Sequence, residues 1–369
     1  MIARIAINGF GRIGRNALRI ALGKSEVAVV AINDLAGARV LAHLLKYDSA
    51  YGTYPKEVQI EEDGKIVETE GLTAPSDHFT KTEAAESYLV VDGKRIKVIA
   101  EKDPSKLPWK DLSVDVVLEC TGRLTEGDAA SVHLKSGAEK VIVSAPIKGG
   151  GVKTFLLGVN SDQYDGENVI SNASCTTNCI SPIASIISAK FGIVKAAMTT
   201  IHAYTAEQNL VDGLPPALHE DLGRGRAAAF NITPTTTGAA ISTTEVLPQL
   251  RGLFDGLAIR VPVIVGSLSD FTFLTKRKVT VDEVNQAFCE AKDKPFYKGV
   301  IDVSLEALVS SDIIGSTYSA VVDLTLTKVI DGDLVKVVAW YDNEWGYSNR
   351  LVEMATLAAL RKRGTISSN

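Results

Sequence analysis

Cysteine is scarce, with four in 369 residues, at Cys120, Cys175, Cys179 and Cys289. So few thiols, so unevenly spaced, exclude a disulfide framework and favour a reducing, cytoplasmic setting in which they stay free. No apolar run approaches the roughly 18 residues that a membrane-spanning helix needs. The start, Met1-Ile2-Ala3-Arg4-Ile5-Ala6-Ile7, alternates like a strand and has no basic segment leading into a long apolar block, so neither a membrane anchor nor a secretion signal is expected. Positive charge is not in excess either: the net charge is -5, which gives no general attraction to phosphodiester backbones, and nucleic acid is not expected as a partner. Cys175, Cys179 and His202 lack a fourth ligand or a C-x-x-C spacing, so no metal site is expected. Internal repeats and low-complexity tracts are absent.

What remains is a composition close to the globular average in a chain too long for one hydrophobic core, so two domains are expected. Up to about residue 150, short β-branched runs alternate with helical patterns, the form of a parallel sheet covered by helices. Strands are predicted at Ile2–Ile7, Val27–Ile32, Val114–Glu119 and Lys140–Ser144, with a helix whose apolar face is Ile13, Ala17, Ile20 and Ala21. From Ser174 onward the strand-like runs Lys195–His202, Leu257–Val263, Asp270–Leu274 and Val321–Thr327 predict a mostly antiparallel sheet. Ser348 is the expected N-cap of a C-terminal helix carrying Leu351, Met354, Ala355 and Ala358. The segment 61–90 reads as a surface insertion or hairpin extension. The fold class is therefore α/β: a Rossmann-type dinucleotide-binding domain over 1–173, completed by a C-terminal helix over 343–369, and an α+β catalytic domain over 174–342.

Gly9-Phe10-Gly11-Arg12-Ile13-Gly14 matches G-x-G-x-x-G, whose glycines permit a tight turn, close approach of backbone to a pyrophosphate, and a helix packed against a strand. The helix start then offers unpaired N–H groups and a positive dipole end to the anion. Asp34 follows at the end of the next predicted strand, where a carboxylate accepts hydrogen bonds from ribose hydroxyls and repels a 2′-phosphate, so the expected cofactor is NAD.

Cys175 lies in Asn172-Ala173-Ser174-Cys175-Thr176-Thr177-Asn178-Cys179. Ser174 as N-cap puts this thiol in the first turn of a helix running through Ile187, where the dipole favours the thiolate, while Pro182 costs that helix one internal bond. His202, after the strand Ala196–Ile201, is the expected base; its imidazolium would stabilise the thiolate. A nucleophilic thiol in a chain that holds a nicotinamide points to aldehyde oxidation through a thioester. Cys120 and Cys289 sit among apolar neighbours and are expected in the core.

Ala-Ile-Asn-Gly-Phe-Gly-Arg-Ile-Gly-Arg (6–15), Lys46-Tyr47-Asp48-Ser49, Ser144-Ala145-Pro146, Ser-Asn-Ala-Ser-Cys-Thr-Thr-Asn-Cys (171–179), Thr235-Thr236-Thr237-Gly238-Ala239-Ala240, Arg260-Val261-Pro262 and Trp340-Tyr341-Asp342-Asn343-Glu344-Trp345-Gly346-Tyr347-Ser348-Asn349 occur in that order over nearly the full length. In these motifs the chain resembles the phosphorylating glyceraldehyde-3-phosphate dehydrogenases. The resemblance implies a cytoplasmic homotetramer of glycolysis or gluconeogenesis that oxidises a phosphorylated aldose and uses inorganic phosphate to release an acyl phosphate. Cys175 and His202 would be catalytic. Gly9, Gly11, Arg12, Ile13, Gly14, Asp34, Lys102, Ser144 and Asn343 would hold NAD. Ser174, Thr176, Thr205, Thr237, Gly238 and Arg260 would hold substrate and phosphate. Gly223 stands where relatives carry an Arg for the attacking phosphate, and Arg224 or Arg226 takes its place, Arg226 being counted in the binding set. Tyr347 is expected near the nicotinamide or in the core, and Leu35 and Leu214-Pro215 agree with an NAD-preferring member. The segment 61–90 and the loop around Pro216–Leu218 are longer than in the family. The alternatives are the related erythrose-4-phosphate dehydrogenase, and a non-catalytic nucleotide- or RNA-binding protein on the same fold.

Overall fold

The computed structural model describes residues 2–67, 86–215 and 221–362. The chain divides into two compact units, one of Met1–Lys153, Asp165–Asn172 and Leu351–Asn369, the other of Thr154–Tyr164 and Ala173–Arg350.

In the first unit the strand Ala3–Asn8 lies between Val27–Asn33 and Val116–Glu119, parallel to both, with Lys140–Val143 and Val169–Ser171 continuing the sheet on one side. Ile5, Ala6 and Ile7 are all fully buried, as the near-continuous apolar run of a strand covered on both faces requires. Strand order reverses at Ala3–Asn8, the place where open α/β sheets bind ligands beyond the strands' carboxyl ends. Gly9, Asp34, Cys120 and Ser144 each follow the last residue of one of these parallel strands. The helix Arg12–Ala21 buries Ala17, Ile20 and Ala21 of the expected face together with Leu18.

Beyond Val27–Asn33 comes Lys94–Ile99, still parallel, and from there the sheet turns antiparallel through Ser87–Val91, Val58–Glu62 and Lys65–Val67. Among the described residues its turns are Asp63-Gly64 (φ 47° and 77°) and Asp92-Gly93 (φ 52° and 75°), the left-handed pairs that match the twist of a two-residue hairpin. The predicted extension at 61–90 is thus a hairpin up to Val67 and a paired strand from Ser87, while 68–85 lies outside the described residues.

The second unit is a mixed sheet in the order Thr233–Thr235, Phe254–Val261, Ile193–Ala203, Ser267–Thr275, Leu334–Tyr341, Ala320–Asp323, Ile301–Ser304. Among the described residues its parallel pairs are Ile193–Ala203 with Phe254–Val261 and Ile301–Ser304 with Ala320–Asp323. The helix Cys175–Phe191 outruns the expected end at Ile187 and stops at Gly192, whose φ of 68° favours glycine. Its Ile180, Ile183 and Ile187 share a core with Phe271, Phe273 and Val337.

Two expectations about element limits fail for the same reason, a carboxylate capping backbone N–H groups. The predicted strand Val321–Thr327 ends at Asp323, whose Oδ1 accepts from the Thr325 N–H (3.1 Å) and starts a short 3-10 turn over Leu324–Leu326. Ser348 is not an N-cap: the helix is Trp345–Lys362, Ser348 is buried inside it, and Asp342 Oδ1 accepts from the N–H groups of Glu344 (2.9 Å) and Trp345 (2.7 Å).

A Cβ on Gly14 would stand 2.1 Å from the Gly9 carbonyl oxygen, whereas one on Gly11 would meet nothing within 4 Å. Gly14→Ala is expected to lower unfolding free energy by about 1–3 kcal/mol and Gly11→Ala to change it by less than about 0.5 kcal/mol. Chemical denaturation of the two variants checks this; equal midpoints would refute the close approach of loop and helix.

Candidate active site

Ala173, the residue before the Ser174 cap, is fully buried with φ 51°, a left-handed conformation that costs a non-glycine residue on the order of 1–3 kcal/mol. It is held there in part by Tyr347, whose hydroxyl donates to the Ala173 carbonyl at 2.9 Å. Of the two expected places for Tyr347, the structure puts it in the interior of the second unit. The turn at Ala173 redirects the chain into the helix, and Ser174 Oγ accepts from the Thr177 N–H at 3.1 Å as the expected cap. Cys175 is the first helical residue, where backbone N–H groups have no acceptor within the helix.

Cys175 Sγ lies 3.4 Å from His202 Nε2. His202 Nδ1 is 2.6 Å from the Ala203 carbonyl oxygen, which can only accept, so Nδ1 carries the proton and Nε2 turns a lone pair to the sulfur. Arg260 comes to the same place through strand register: it pairs with His202 across the parallel ladder, and its Nη1 sits 3.1 Å from His202 Nδ1, donates to Ala203 O at 3.1 Å and to Thr205 Oγ1 at 3.2 Å.

Burial and then the Arg260 guanidinium press the His202 imidazole down to about 3. Burial also raises the Cys175 thiol, and Arg260 and the Thr176 hydroxyl work against that rise. This corrects the expectation of an imidazolium beside the sulfur: with a permanent cation at 3.1 Å, the ring is a neutral base, and the charge that favours a thiolate is the guanidinium.

Beneath the pair, Thr200 Oγ1 donates to the Leu268 carbonyl (3.2 Å), which directs the Tyr341 hydroxyl onto Thr200 (2.8 Å) and the Thr176 hydroxyl onto Tyr341 (3.1 Å). The Tyr341 ring packs edge-on against His202 at 6.0 Å. Sequence reasoning missed Tyr341 and Thr200, whose only signal is alternation along strands that later proved to be neighbours.

Toward solvent, Arg224 Nε donates to Thr235 Oγ1 (3.0 Å) and Nη2 to the Thr236 carbonyl (3.4 Å), and Glu207 Oε1 bonds to Arg224 and lies 3.5 Å from Arg260 Nη2. Asp221 accepts from the Thr235 hydroxyl and from the Thr236 N–H and hydroxyl, the last two both at 2.9 Å, and these bonds, Thr235 foremost, hold its carboxyl down to about 2 against the effect of burial. Thr237 Oγ1 accepts from Ala239 N (3.2 Å), and Gly238 opens the helix Ala239–Val246. Arg226 is brought to none of these: its side chain is 62% exposed and paired with Asp212 at 2.7 Å. Of the two arginines left open by the sequence, Arg224 is the one that joins Arg260. The Pro216–Leu218 loop lies outside the described residues, and Leu214 beside it is exposed.

In the first unit, Gly9, Gly11, Asp34, Leu35 and Lys102 line a cleft of about 340 Å³. Gly9 has φ 94°, and a Cβ there would meet the Cys120 and Thr121 backbone at 2.7 Å, so only glycine leaves the loop open. Asp34 Oδ2 accepts from the Phe10 N–H (2.8 Å) and Oδ1 from the Ala36 N–H (3.1 Å), so the carboxylate also clamps the glycine loop. Arg12, expected to face a pyrophosphate, points its Nη1 at Asp48 (2.5 Å), and Ile13 is half-buried on the first helical turn. Burial alone would raise the Asp48 carboxyl, but the Ala50 N–H and Arg12 hold it below its ordinary value.

Cys120 is not core: it lines this cleft half-buried beside the Ser144 hydroxyl, and burial pushes its thiol up to about 12. Behind the cleft wall, the Trp109 indole donates to His133 Nδ1 (3.0 Å), so the His133 Nε2 proton goes to Glu119 (2.9 Å), which also accepts from Asn8 Nδ2 (2.6 Å). Asn343 belongs to the second unit, where its Oδ1 accepts from Gly266 N (3.1 Å) and Ser267 Oγ (2.9 Å); Ser267 Oγ in turn accepts from the Ala203 N–H at 3.1 Å.

An open glycine loop, a helix start behind it and a carboxylate at the next strand end fit a dinucleotide, and the comparisons agree. The family model described as the glyceraldehyde 3-phosphate dehydrogenase NAD binding domain matches residues 3–78 and 73–127, and that described as the glyceraldehyde 3-phosphate dehydrogenase C-terminal domain matches residues 174–343. Over 357 residues the chain is 48% identical to the glyceraldehyde-3-phosphate dehydrogenase of Streptomyces coelicolor, covering 96% of this chain and 98% of that protein. It is 49% identical over 356 residues to glyceraldehyde-3-phosphate dehydrogenase 1 of Bacillus cereus, with 96% and 98% covered. Against the chloroplastic glyceraldehyde-3-phosphate dehydrogenase GAPB of Arabidopsis thaliana the identity is 47% over 366 residues, 98% of this chain and 76% of that one. With a thiol, a neutral imidazole and a buried guanidinium gathered in the matched C-terminal region and a dinucleotide loop in the matched N-terminal region, the chain belongs to the glyceraldehyde-3-phosphate dehydrogenase family.

Proposed function

We propose that this protein carries out the NAD-dependent oxidation of D-glyceraldehyde 3-phosphate to 1,3-bisphosphoglycerate, with Cys175 and His202 as its catalytic residues. The observation that carries the reading is the 3.4 Å approach of Cys175 Sγ to an unprotonated His202 Nε2 beside the fixed charge of Arg260. Sγ passes its proton to Nε2 as it attacks the aldehyde carbon, and the ring returns that proton to the carbonyl oxygen to give a thiohemiacetal. Nε2 then takes the hydroxyl proton as the carbon is oxidised, which a ring held neutral at physiological pH is able to do. The helix-start N–H of Cys175 faces the developing oxyanion. Bound NAD supplies the hydride acceptor. Oxidation at that carbon leaves a thioester on Cys175, inorganic phosphate attacks its carbonyl, and Sγ departs as the thiolate favoured by Arg260.

Within this reading, Gly9, Gly11, Arg12, Ile13, Gly14, Asp34, Lys102, Ser144 and Asn343 hold NAD. Ser174, Thr176, Thr205, Thr237, Gly238 and Arg260 hold the two phosphates, and Arg224 takes the part first given to Arg226. The boundaries 1–173 with 343–369 for NAD binding and 174–342 for catalysis are adjusted to the compact units: NAD binding belongs to Met1–Lys153, Asp165–Asn172 and the chain from Leu351, and catalysis to Thr154–Tyr164 and Ala173–Arg350. A homotetramer is supported by exposed Leu210, Val211, Leu214, Leu222, Phe230 and Ile232, a run of apolar side chains of the kind that marks subunit interfaces. Four free cysteines support a cytoplasmic setting, and among the described residues no helix is long and apolar enough to cross a membrane.

NADH formation from glyceraldehyde 3-phosphate is expected to continue with phosphate or arsenate and to stop after one turnover without either. Steady turnover without phosphate would indicate thioester hydrolysis instead. Cys175→Ser should keep NAD affinity and lose acylation, because a serine hydroxyl is not ionised at neutral pH; dehydrogenase activity retained by that variant would overturn the mechanism. Iodoacetamide alkylation of Cys175 should shift to higher pH in Arg260→Leu, which removes the cation that opposes the thiol's rise, and should not shift to higher pH in His202→Asn, because a neutral ring adds no charge to favour the thiolate. An unmoved profile in Arg260→Leu, or an upward shift in His202→Asn, would contradict this electrostatic arrangement.

A further inference from the structure

The phosphate corner of the second unit already contains an anion. One oxygen of Glu207, Oε1, is hydrogen-bonded to Arg224 and lies 3.5 Å from Arg260 Nη2, so a single carboxylate bridges the two guanidinium groups. The three side chains are unequally fixed. Arg224 is anchored on Thr235 and the Thr236 carbonyl, Arg260 on the Ala203 carbonyl and Thr205, and their side chains are only 10% and 12% exposed. The Glu207 side chain is 50% exposed, and its partners among the described residues are these two cations. Two guanidinium groups this close repel each other when nothing negative lies between them. A phosphate group offers more charge and more acceptor oxygens to the same forks than a carboxylate does.

We propose that Glu207 is the internal counter-anion of the phosphate site. It neutralises Arg224 and Arg260 while no phosphate is bound, keeping both forks aligned, and swings into solvent when a phosphate group takes over their N–H donors. Glu207 is thereby a positioning residue that sets phosphate affinity by competing with the ligand. This rests on the reading of Arg224 and Arg260 as phosphate-binding residues given above.

The test is isothermal calorimetry of inorganic phosphate binding to the full-length, NAD-saturated protein, comparing wild type with Glu207→Gln and Glu207→Asp. Glu207→Gln keeps the size and removes the competing charge, so phosphate should bind about three- to tenfold more tightly. The KM for phosphate in turnover should fall by the same factor. Glu207→Asp, one methylene shorter and unable to span both forks, should fall between the two. A purely structural role predicts the opposite sign, so unchanged or weaker phosphate binding by Glu207→Gln overturns the proposal. An absent NADH burst in the wild type would sink the proposed function instead, and the calorimetric comparison would still decide the part played by Glu207.

Discussion

The buried guanidinium of Arg260 is the charge around which the second unit's site is built. It stands 3.1 Å from both His202 Nδ1 and the Ala203 carbonyl, so the same group that keeps the imidazole neutral also occupies the carbonyl that fixes its tautomer. A cation taken out of water is tolerated only where acceptors and counter-charge meet it. Ala203, Thr205 and Glu207 meet this one. The imidazole, the thiol and the Glu207 carboxylate are therefore one electrostatic problem with one cation at its centre.

Backbone geometry makes that placement possible. His202 and Arg260 are register partners in adjacent parallel strands, so their side chains leave the same face of the sheet, one strand spacing apart. Ser267 and Tyr341 pair on the next two strands, and from them a hydrogen-bond path runs through Ser267 to Ala203 and Asn343, while the Tyr341 hydroxyl reaches Thr176. The left-handed turn at Ala173 then delivers Cys175 to Nε2 at a helix start. In the first unit a comparable economy appears at Asp34, whose carboxylate closes the glycine loop on Phe10 at a strand's carboxyl end.

Much of this was legible in residue order. The glycine loop, the acid at the next strand end and the Ser174 cap are local patterns, and local patterns follow from backbone sterics and from unpaired N–H groups that any sequence must satisfy. The hairpin extension expected at 61–90 has its local signal in Asp63-Gly64, and Asp92-Gly93 just beyond it carries the same one. Helix limits at Ser348 and the strand end at Asp323 were misjudged because the capping carboxylate competes with an equally plausible cap or strand former nearby. Cys120 was assigned to the core because apolar neighbours in sequence do not reveal that a strand end opens onto a cleft.

Residue order by itself determined the fold class and the family and singled out Cys175 and His202, since each rests on short motifs whose chemistry is carried by adjacent residues. Tertiary structure alone decided the protonation of His202, the placing of Arg224 rather than Arg226 beside Arg260, the Tyr341 hydroxyl chain and the Glu207 bridge. These depend on distances of 3–4 Å between groups tens of residues apart in the chain. Strand register and burial set those distances and the energy of a charge at them, and neither is written in the order of residues at any one place.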